Sequence, residues 1–353
     1  GTADRSAGEI MEAIEAIGGS VEAYAGNNSF GLNIEVLNQD VKFGLDLLRE
    51  TLRFPSFPST EIERERQVQM AGIRAQKDQL LGRCFKLMKK GLFGEKGYGL
   101  SNAGEESSVQ SLSIEQIKSH HGRLVKPGNQ VLSIFGDIDI EQVKKELLNL
   151  WEDCSESSRI ELPRSPSETR VETLALSETC DKKQSVVVFG FPGTTFFDKE
   201  RHALDLLQET CSDLGSRLFM RIRDELGLAY YVGAQHMPGL VRGYFGFYAG
   251  TSPEHVEQVK EEFKIQINKI KSEGITQQEL DRSKAKMLGQ KQIARQDLGH
   301  LAMASALDEL YGLGFQHPLE EDAAIHAVSL EDVQKAAEKI FDLENSTVAV
   351  VGP

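Results

Sequence analysis

The feature that most constrains this 353-residue chain is an internal repeat. Ser113-Ile-Glu-Gln-Ile117 and then Pro127-Gly-Asn-Gln-Val-Leu-Ser-Ile-Phe-Gly136 read without a gap against Ser329-Leu-Glu-Asp-Val333 and Leu343-Glu-Asn-Ser-Thr-Val-Ala-Val-Val-Gly352. The offset is constant, since 329 − 113 and 352 − 136 both give 216. Each copy reads as a Ser-capped helix, a turn carrying Asn129 or Asn345, and an apolar strand closing at Gly136 or Gly352. Thr60-Glu-Ile-Glu-Arg64 pairs in the same way with Gln278-Glu-Leu-Asp-Arg282, 218 residues on (278 − 60), each opening a long polar helix. Ile17-Gly-Gly-Ser-Val-Glu-Ala-Tyr24 resembles Leu226-Gly-Leu-Ala-Tyr-Tyr-Val232, a helix that ends in glycine and feeds a strand. Such a chain folds as two related α+β units.

In chain order, the first unit is predicted to hold a helix over 5–17 and strands over 19–25 and 28–37. Helices over 40–53 and 59–90 follow, then the repeat helix and strand to Ile138, and a helix over 141–152. Strands followed by runs of helices, without regular βαβ alternation, predict a mostly antiparallel or mixed sheet with helices packed on one face. Residues 154–183, rich in serine, proline and charge, read as a linker, which divides the chain into 1–153, 154–183 and 184–353. The second unit opens with Gln184-Ser-Val-Val-Val-Phe-Gly-Phe191, a continuous apolar run of the kind buried on both faces. Helices are then expected over 197–212, 253–273, 276–297, 299–313 and 329–341, and strands over 230–237 and 242–250. Nothing in the first copy corresponds to 184–191, so its opening strand and first helix are expected to be missing from this chain.

Composition removes several function classes. Forty Lys plus Arg against fifty-four Asp plus Glu leave a net charge of -14, which disfavours a nucleic-acid backbone as partner. No apolar run approaches the roughly 20 residues needed to span a bilayer, and Gly1-Thr-Ala-Asp4 is not a signal peptide, so a soluble protein with no membrane span is expected. Cys84, Cys154, Cys180 and Cys211 form no C-x-x-C pair. The eight histidines form no H-x-x-E-H, H-E-x-x-H or H-x-x-x-H motif, and adjacent His120 and His121 diverge by about 100° on a helix, so no metal is expected. Phosphate-loop signatures are absent as well, which argues against nucleotide binding.

One segment carries candidate chemistry. In Ser216-Arg-Leu-Phe-Met-Arg-Ile-Arg-Asp-Glu-Leu-Gly-Leu-Ala-Tyr-Tyr-Val-Gly-Ala234, Leu218, Ile222 and Leu226 recur at helical spacing and Gly227 stands where a helix takes a left-handed cap. That geometry puts Arg223 on the last helical turn and Tyr230 at the start of a strand, with both able to face one opening. A solvated arginine and a half-buried strand tyrosine is the plainer alternative on periodicity alone. For Glu63-Arg-Glu-Arg66 the plain reading is a solvated helix face of alternating sign.

The order of these segments resembles the insulinase/pitrilysin family of zinc metallopeptidases, whose motif is of the inverzincin type, and the resemblance spans essentially the whole chain. It is carried by Gly1-Thr2 with Arg5-Ser-Ala7, Glu15-Ala-Ile-Gly-Gly19, Glu61-Ile-Glu-Arg-Glu-Arg66, Gly97-Tyr-Gly99, Gly136-Asp137, and Ser216-Arg-Leu-Phe219 through Tyr230. The family is built from halves of two homologous α+β domains, and two halves enclose a chamber for unfolded peptides. Catalytic halves carry H-x-x-E-H ahead of the Gly-Thr and a glutamate ligand on the long helix. At that ligand position, seven residues after Glu65, this chain has Gly72, which has no donor. With Asn27-Asn-Ser-Phe-Gly31 and Ala71-Gly-Ile-Arg-Ala-Gln-Lys-Asp78, the resemblance implies the second, non-catalytic repeat of a bacterial double-length member, in periplasm or cytoplasm. It implies that Arg223 and Tyr230 act in trans on the zinc site of a catalytic half, fused upstream or separate, with unfolded peptides as substrates. Glu65 matches an auxiliary acidic position and is read as structural. This chain alone is expected to bind no zinc and cleave nothing, and Arg221→Ala is expected to be an inert control. The alternative is an assembly or interaction subunit of the same fold with no peptidase role.

Overall fold

A computed structural model describes residues 1–152 and 173–353. The helices are α1 (Ala7–Glu15), α2 (Val41–Arg53), α3 (Ser59–Gln76), α4 (Leu80–Phe93), α5 (Glu106–Ser111), α6 (Ile114–Leu124) and α7 (Ile140–Leu150), then α8 (Arg201–Cys211), α9 (Val256–Glu273), α10 (Gln277–Ala294), α11 (Leu298–Tyr311), α12 (His317–Ala327) and α13 (Leu330–Ile340). The strands are β1 (Ser20–Ala25), β2 (Phe30–Glu35), β3 (Leu174–Thr179), β4 (Ser185–Pro192), β5 (Tyr231–Met237), β6 (Tyr244–Thr251) and β7 (Thr347–Gly352).

The repeat is visible in the helix boundaries themselves. Helix α3 maps onto α10 and α4 onto α11 with both ends 218 residues apart (277 − 59, 294 − 76, 298 − 80, 311 − 93). Helix α6 maps onto α13 at 216 at both ends (330 − 114, 340 − 124). Both copies of the last helix carry the same capping box, Ser113 with Gln116 and Ser329 with Asp332, which satisfies two orphan donors at each start.

The chain forms two compact units, and neither is a continuous stretch. One holds Gly1–Ile73, 102–152 and Ile293–Pro318; the other holds Arg74–Ser101, 173–292 and Leu319–Pro353. The two copies have therefore traded equivalent helices: α4 of the first belongs to the second unit, and α11 of the second belongs to the first.

In the second unit a mixed five-stranded sheet runs in the order β3-β7-β4-β6-β5, with β3 parallel to β7 and the other pairs antiparallel. Every residue of β4 is buried, as its apolar run predicts. One face packs Val187, Phe189 and Phe191 with Phe245, Phe247, Phe263 and Phe341 under α8, α9 and α13. The opposite face packs Val186, Val188 and Val351 against Cys84, Phe85 and Met88 of the traded helix α4. That approach is close: a Cβ at Gly190 would lie 2.3 Å from the Met88 side chain. The β5 edge is closed by α8 and the residue after it. Ser212 Oγ donates to Ala234 O (3.1 Å) and accepts from Ala234 N (3.4 Å), and Gln208 Oε1 accepts from His236 N (2.6 Å). Peptide groups so occupied offer no template for a further strand.

The first unit holds a two-stranded antiparallel hairpin, β1-β2, under α1 and α2, with Ile10, Ile14 and Leu47 as its small core. Here the structure departs from the sequence expectation. Residues 130–136 were expected to be a strand but pair with none among the described residues. A strand needs neighbours for its peptide groups, and the counterpart of β4, which flanks β7 in the other unit, has no equivalent among the described residues of this one.

Further differences are local. The helix expected over 59–90 is two helices, α3 and α4, broken at 77–79, and neither α5 nor α12 is foreseen by the sequence pattern. Of the stretch read as a linker, 154–172 lies outside the described residues and 174–179 forms β3. Its exposed, charge-bearing pattern hid it from periodicity.

Candidate functional site

The segment that carries Arg223 and Tyr230 is fixed at both ends. Arg217 grips Glu279 through Nε (2.8 Å) and Nη2 (2.6 Å), a bidentate pair that keeps Glu279 ionised against its partial burial. Ser216 Oγ accepts from Phe219 N, and Leu218 and Ile222 are fully buried in the main core. Between them Phe219–Glu225 is not the α-helix that the spacing predicts but a π-helical turn, with Leu226 N bonded to Arg221 O at 3.2 Å, five residues back. Gly227 ends it with φ of +63°, the left-handed conformation expected there. Leu228 O accepts from Thr251 Oγ1, and Tyr230 N donates to Gly250 O at 2.8 Å, which delivers the chain into β5.

On this frame the charged side chains divide sharply. Arg221 is consumed by the fold: its Nε donates to Glu262 at 3.1 Å and its Nη1 to Glu225 at 2.8 Å. Glu262 is buried and also accepts from Gln266 Nε2 at 2.7 Å. Truncating Arg221 would strand a buried carboxylate with one neutral donor, so Arg221→Ala carries a cost in stability, which is separate from its expected lack of effect on turnover. Arg223 is exposed, has no carboxylate partner among the described residues, and lies with its guanidinium carbon 4.6 Å from the centre of the Phe219 ring. Tyr230 is 53% exposed and its hydroxyl likewise has no hydrogen-bond partner among the described residues.

Sequence reasoning did not find Phe219 as a support for Arg223, although the i, i+4 spacing of an aromatic and a cation was a usable signal. Nor did it find Glu262, because Lys260-Glu-Glu-Phe263 reads as a solvated helix face and only tertiary packing buries one of its two acids.

In the first unit, Gly72 lies exposed on α3, and a Cβ there would meet nothing within 4 Å. There is room for a ligand side chain at this position and none is present, so the residue does not fit the third place of a catalytic zinc set. Glu65 is solvent-facing and pairs with Arg64 at 3.3 Å, as a structural helix residue does. The neighbouring charges behave likewise: Glu63 bonds Arg66 (2.9 Å) and Gln67 (2.7 Å), and Arg66 also caps the end of α5 through Leu112 O at 2.8 Å. The plain reading of a solvated face fits Glu63, Arg64 and Glu65, which are exposed, but not Arg66, whose side chain is largely withdrawn from solvent against the end of α5.

Two related α+β copies, the second with a mixed sheet and this helix-to-strand segment within it, define a class that the sequence comparisons identify. Residues 1–104 match the family described as "Insulinase (Peptidase family M16)", and residues 111–287 match the one described as "Peptidase M16 inactive domain". The chain belongs to peptidase family M16. Among its relatives, an "uncharacterized zinc protease" of Rickettsia bellii is 25% identical over 355 residues, covering all of this chain and 85% of the relative. The zinc protease YmxG of Bacillus subtilis is 25% identical over 357 residues with the same coverage. Solved structures share the fold: a protease from Helicobacter pylori (TM-score 0.88, 21% identity, all of this chain and 87% of that one) and a peptidase M16 inactive domain from Pseudomonas fluorescens (TM-score 0.85, 18% identity, all of this chain and 85% of that one). Among the described residues no helix is long and apolar enough to cross a membrane.

Proposed function

We infer that this chain is a non-catalytic half of an M16 zinc peptidase, closing a chamber for unfolded peptides against a catalytic half and supplying Arg223 and Tyr230 to that half's zinc site. One observation supports this above the rest. Within a few residues of backbone, Arg221 is saturated by Glu225 and Glu262, while Arg223 and Tyr230 are exposed on a tightly tied frame with no polar partner. Neither side chain spends its donors on another described residue, so those donors are available to a ligand.

Chemically, a guanidinium and a phenol suit a peptide at the moment of cleavage. Arg223 and the Tyr230 hydroxyl donate to the oxyanion as charge builds on the scissile carbonyl. The catalytic half would hold the metal, which would supply an activated water. This chain adds no zinc ligand at the family's third-ligand position, where it has Gly72.

The test is steady-state kinetics on the chain reconstituted with an M16 half that carries H-x-x-E-H. Arg223→Ala and Tyr230→Phe are each expected to lower kcat by about 10²–10³ with KM nearly unchanged and with assembly intact, the loss typical of one oxyanion donor. Arg221→Ala is expected to lower Tm while leaving kcat nearly unchanged. Full activity in the Arg223→Ala/Tyr230→Phe double variant overturns the reading and leaves an assembly subunit without peptidase role.

A further inference from the structure

We propose that Phe219 is the positioning residue that aims Arg223, an inference that rests on the role given to Arg223 above. Three acidic residues lie on the helical turn of Arg223 or on α9, and Arg223 pairs with none of them among the described residues. Glu225 and Glu262 are bound to Arg221, and Asp224 makes no ion pair with Arg223 among the described residues. The side chain is oriented instead by an aromatic face. Its guanidinium carbon lies 4.6 Å from the Phe219 centroid, closer than Arg5, Arg49, Arg53 and Arg201 lie to theirs, at 5.1–5.8 Å.

The support is rigid. Phe219 is 9% exposed and belongs to the main core, and its amide is bonded to Ser216 Oγ at 3.1 Å. The backbone of Arg223 is held too, since its carbonyl accepts from Gly227 N at 3.1 Å, beyond the wide π turn.

The kind of support matters for function. A carboxylate partner would neutralise Arg223 and occupy its in-plane donors. A ring beneath the guanidinium occupies only the flat face, so the charge persists and the N–H fork stays open at its edge for a carbonyl or oxyanion. Phe219 would thus act through Arg223 without touching substrate.

Two measurements test this. In the full chain, ¹⁵N relaxation of the Arg223 Nε–H is expected to report an ordered side chain, and Phe219→Met, which keeps volume but removes the ring face, is expected to drop its order parameter below about 0.6. An Arg223 Nε already that mobile in the unmodified chain overturns the proposal, whether or not the variant folds. In the reconstituted enzyme, Phe219→Met is expected to lower kcat about tenfold with KM within about twofold, Phe219→Tyr to restore it, and Phe219→Met to add nothing in an Arg223→Ala background. An equal loss in that background shows that Phe219 acts by packing alone and overturns the proposal. If Arg223→Ala lowers kcat and Phe219→Met does not, the positioning role fails while the function of Arg223 stands. If Arg223→Ala changes nothing, both fall together.

Discussion

Residues 131–136 (Val-Leu-Ser-Ile-Phe-Gly) and 347–352 (Thr-Val-Ala-Val-Val-Gly) occupy the same place in the repeat and differ little in apolar content, yet only the second is a strand. Their helices correspond residue for residue, with α6 matching α13, so local propensity is not what separates them. The difference is the neighbour. Strand β7 lies between β3 and β4 and exchanges hydrogen bonds with both, whereas residues 130–136 have no strand beside them among the described residues. Extended backbone becomes sheet only where another backbone supplies the complementary groups. A repeat in sequence therefore specifies equivalent helices more faithfully than equivalent strands, because a helix satisfies itself and a strand does not.

The largest expected effect sharpens this contrast directly. Phe189→Ala, in the all-buried strand β4, is expected to cost about 3–5 kcal/mol, because it removes a ring packed at 5.7 Å on Phe263. Phe135→Ala, at 37% exposure in the unpaired segment, is expected to cost less than about 1 kcal/mol. Denaturant unfolding of both variants checks the pair, and similar losses would mean that 130–136 is buried in sheet after all.

A smaller effect concerns acid stability of the five-stranded unit. Burial pushes the Asp205 carboxyl up, but His202 at 3.7 Å, the hydrogen bond from His236 and the charge of Arg201 more than offset this and hold it well below the usual carboxylate range. His236 in turn bridges Asp205 Oδ1 (2.7 Å) to Thr194 Oγ1 (2.9 Å). With a folded value below the unfolded one, this stabilisation is complete above about pH 4 and is lost as the pH falls through the folded value. Asp205→Asn is expected to cost about 1–3 kcal/mol at neutral pH and to flatten the acid limb of the stability curve. An unchanged acid limb in that variant would assign it to other carboxylates.

The smallest effect falls in the first unit and has the opposite sign. Gly72 is an exposed glycine inside α3 with open space around its missing side chain. Gly72→Ala is expected to stabilise the chain by about 0.5–1 kcal/mol through helix propensity alone. A loss of stability in thermal unfolding would show that something packs on that site.

By itself the sequence determined what depends on spacing along the chain: the repeat, the helices that match at a fixed offset, the buried run of β4, the left-handed Gly227, and the family. Those features rest on propensity and periodicity, which a helix or a turn carries within its own residues. Only the tertiary structure decided that α4 covers the second copy's sheet, that 130–136 pairs with no strand among the described residues, and that Arg221 is tied to the buried Glu262 while Arg223 rests on Phe219. These depend on which groups meet across long stretches of chain, and whether a charge is neutralised or left open is set by that meeting, which no local pattern records.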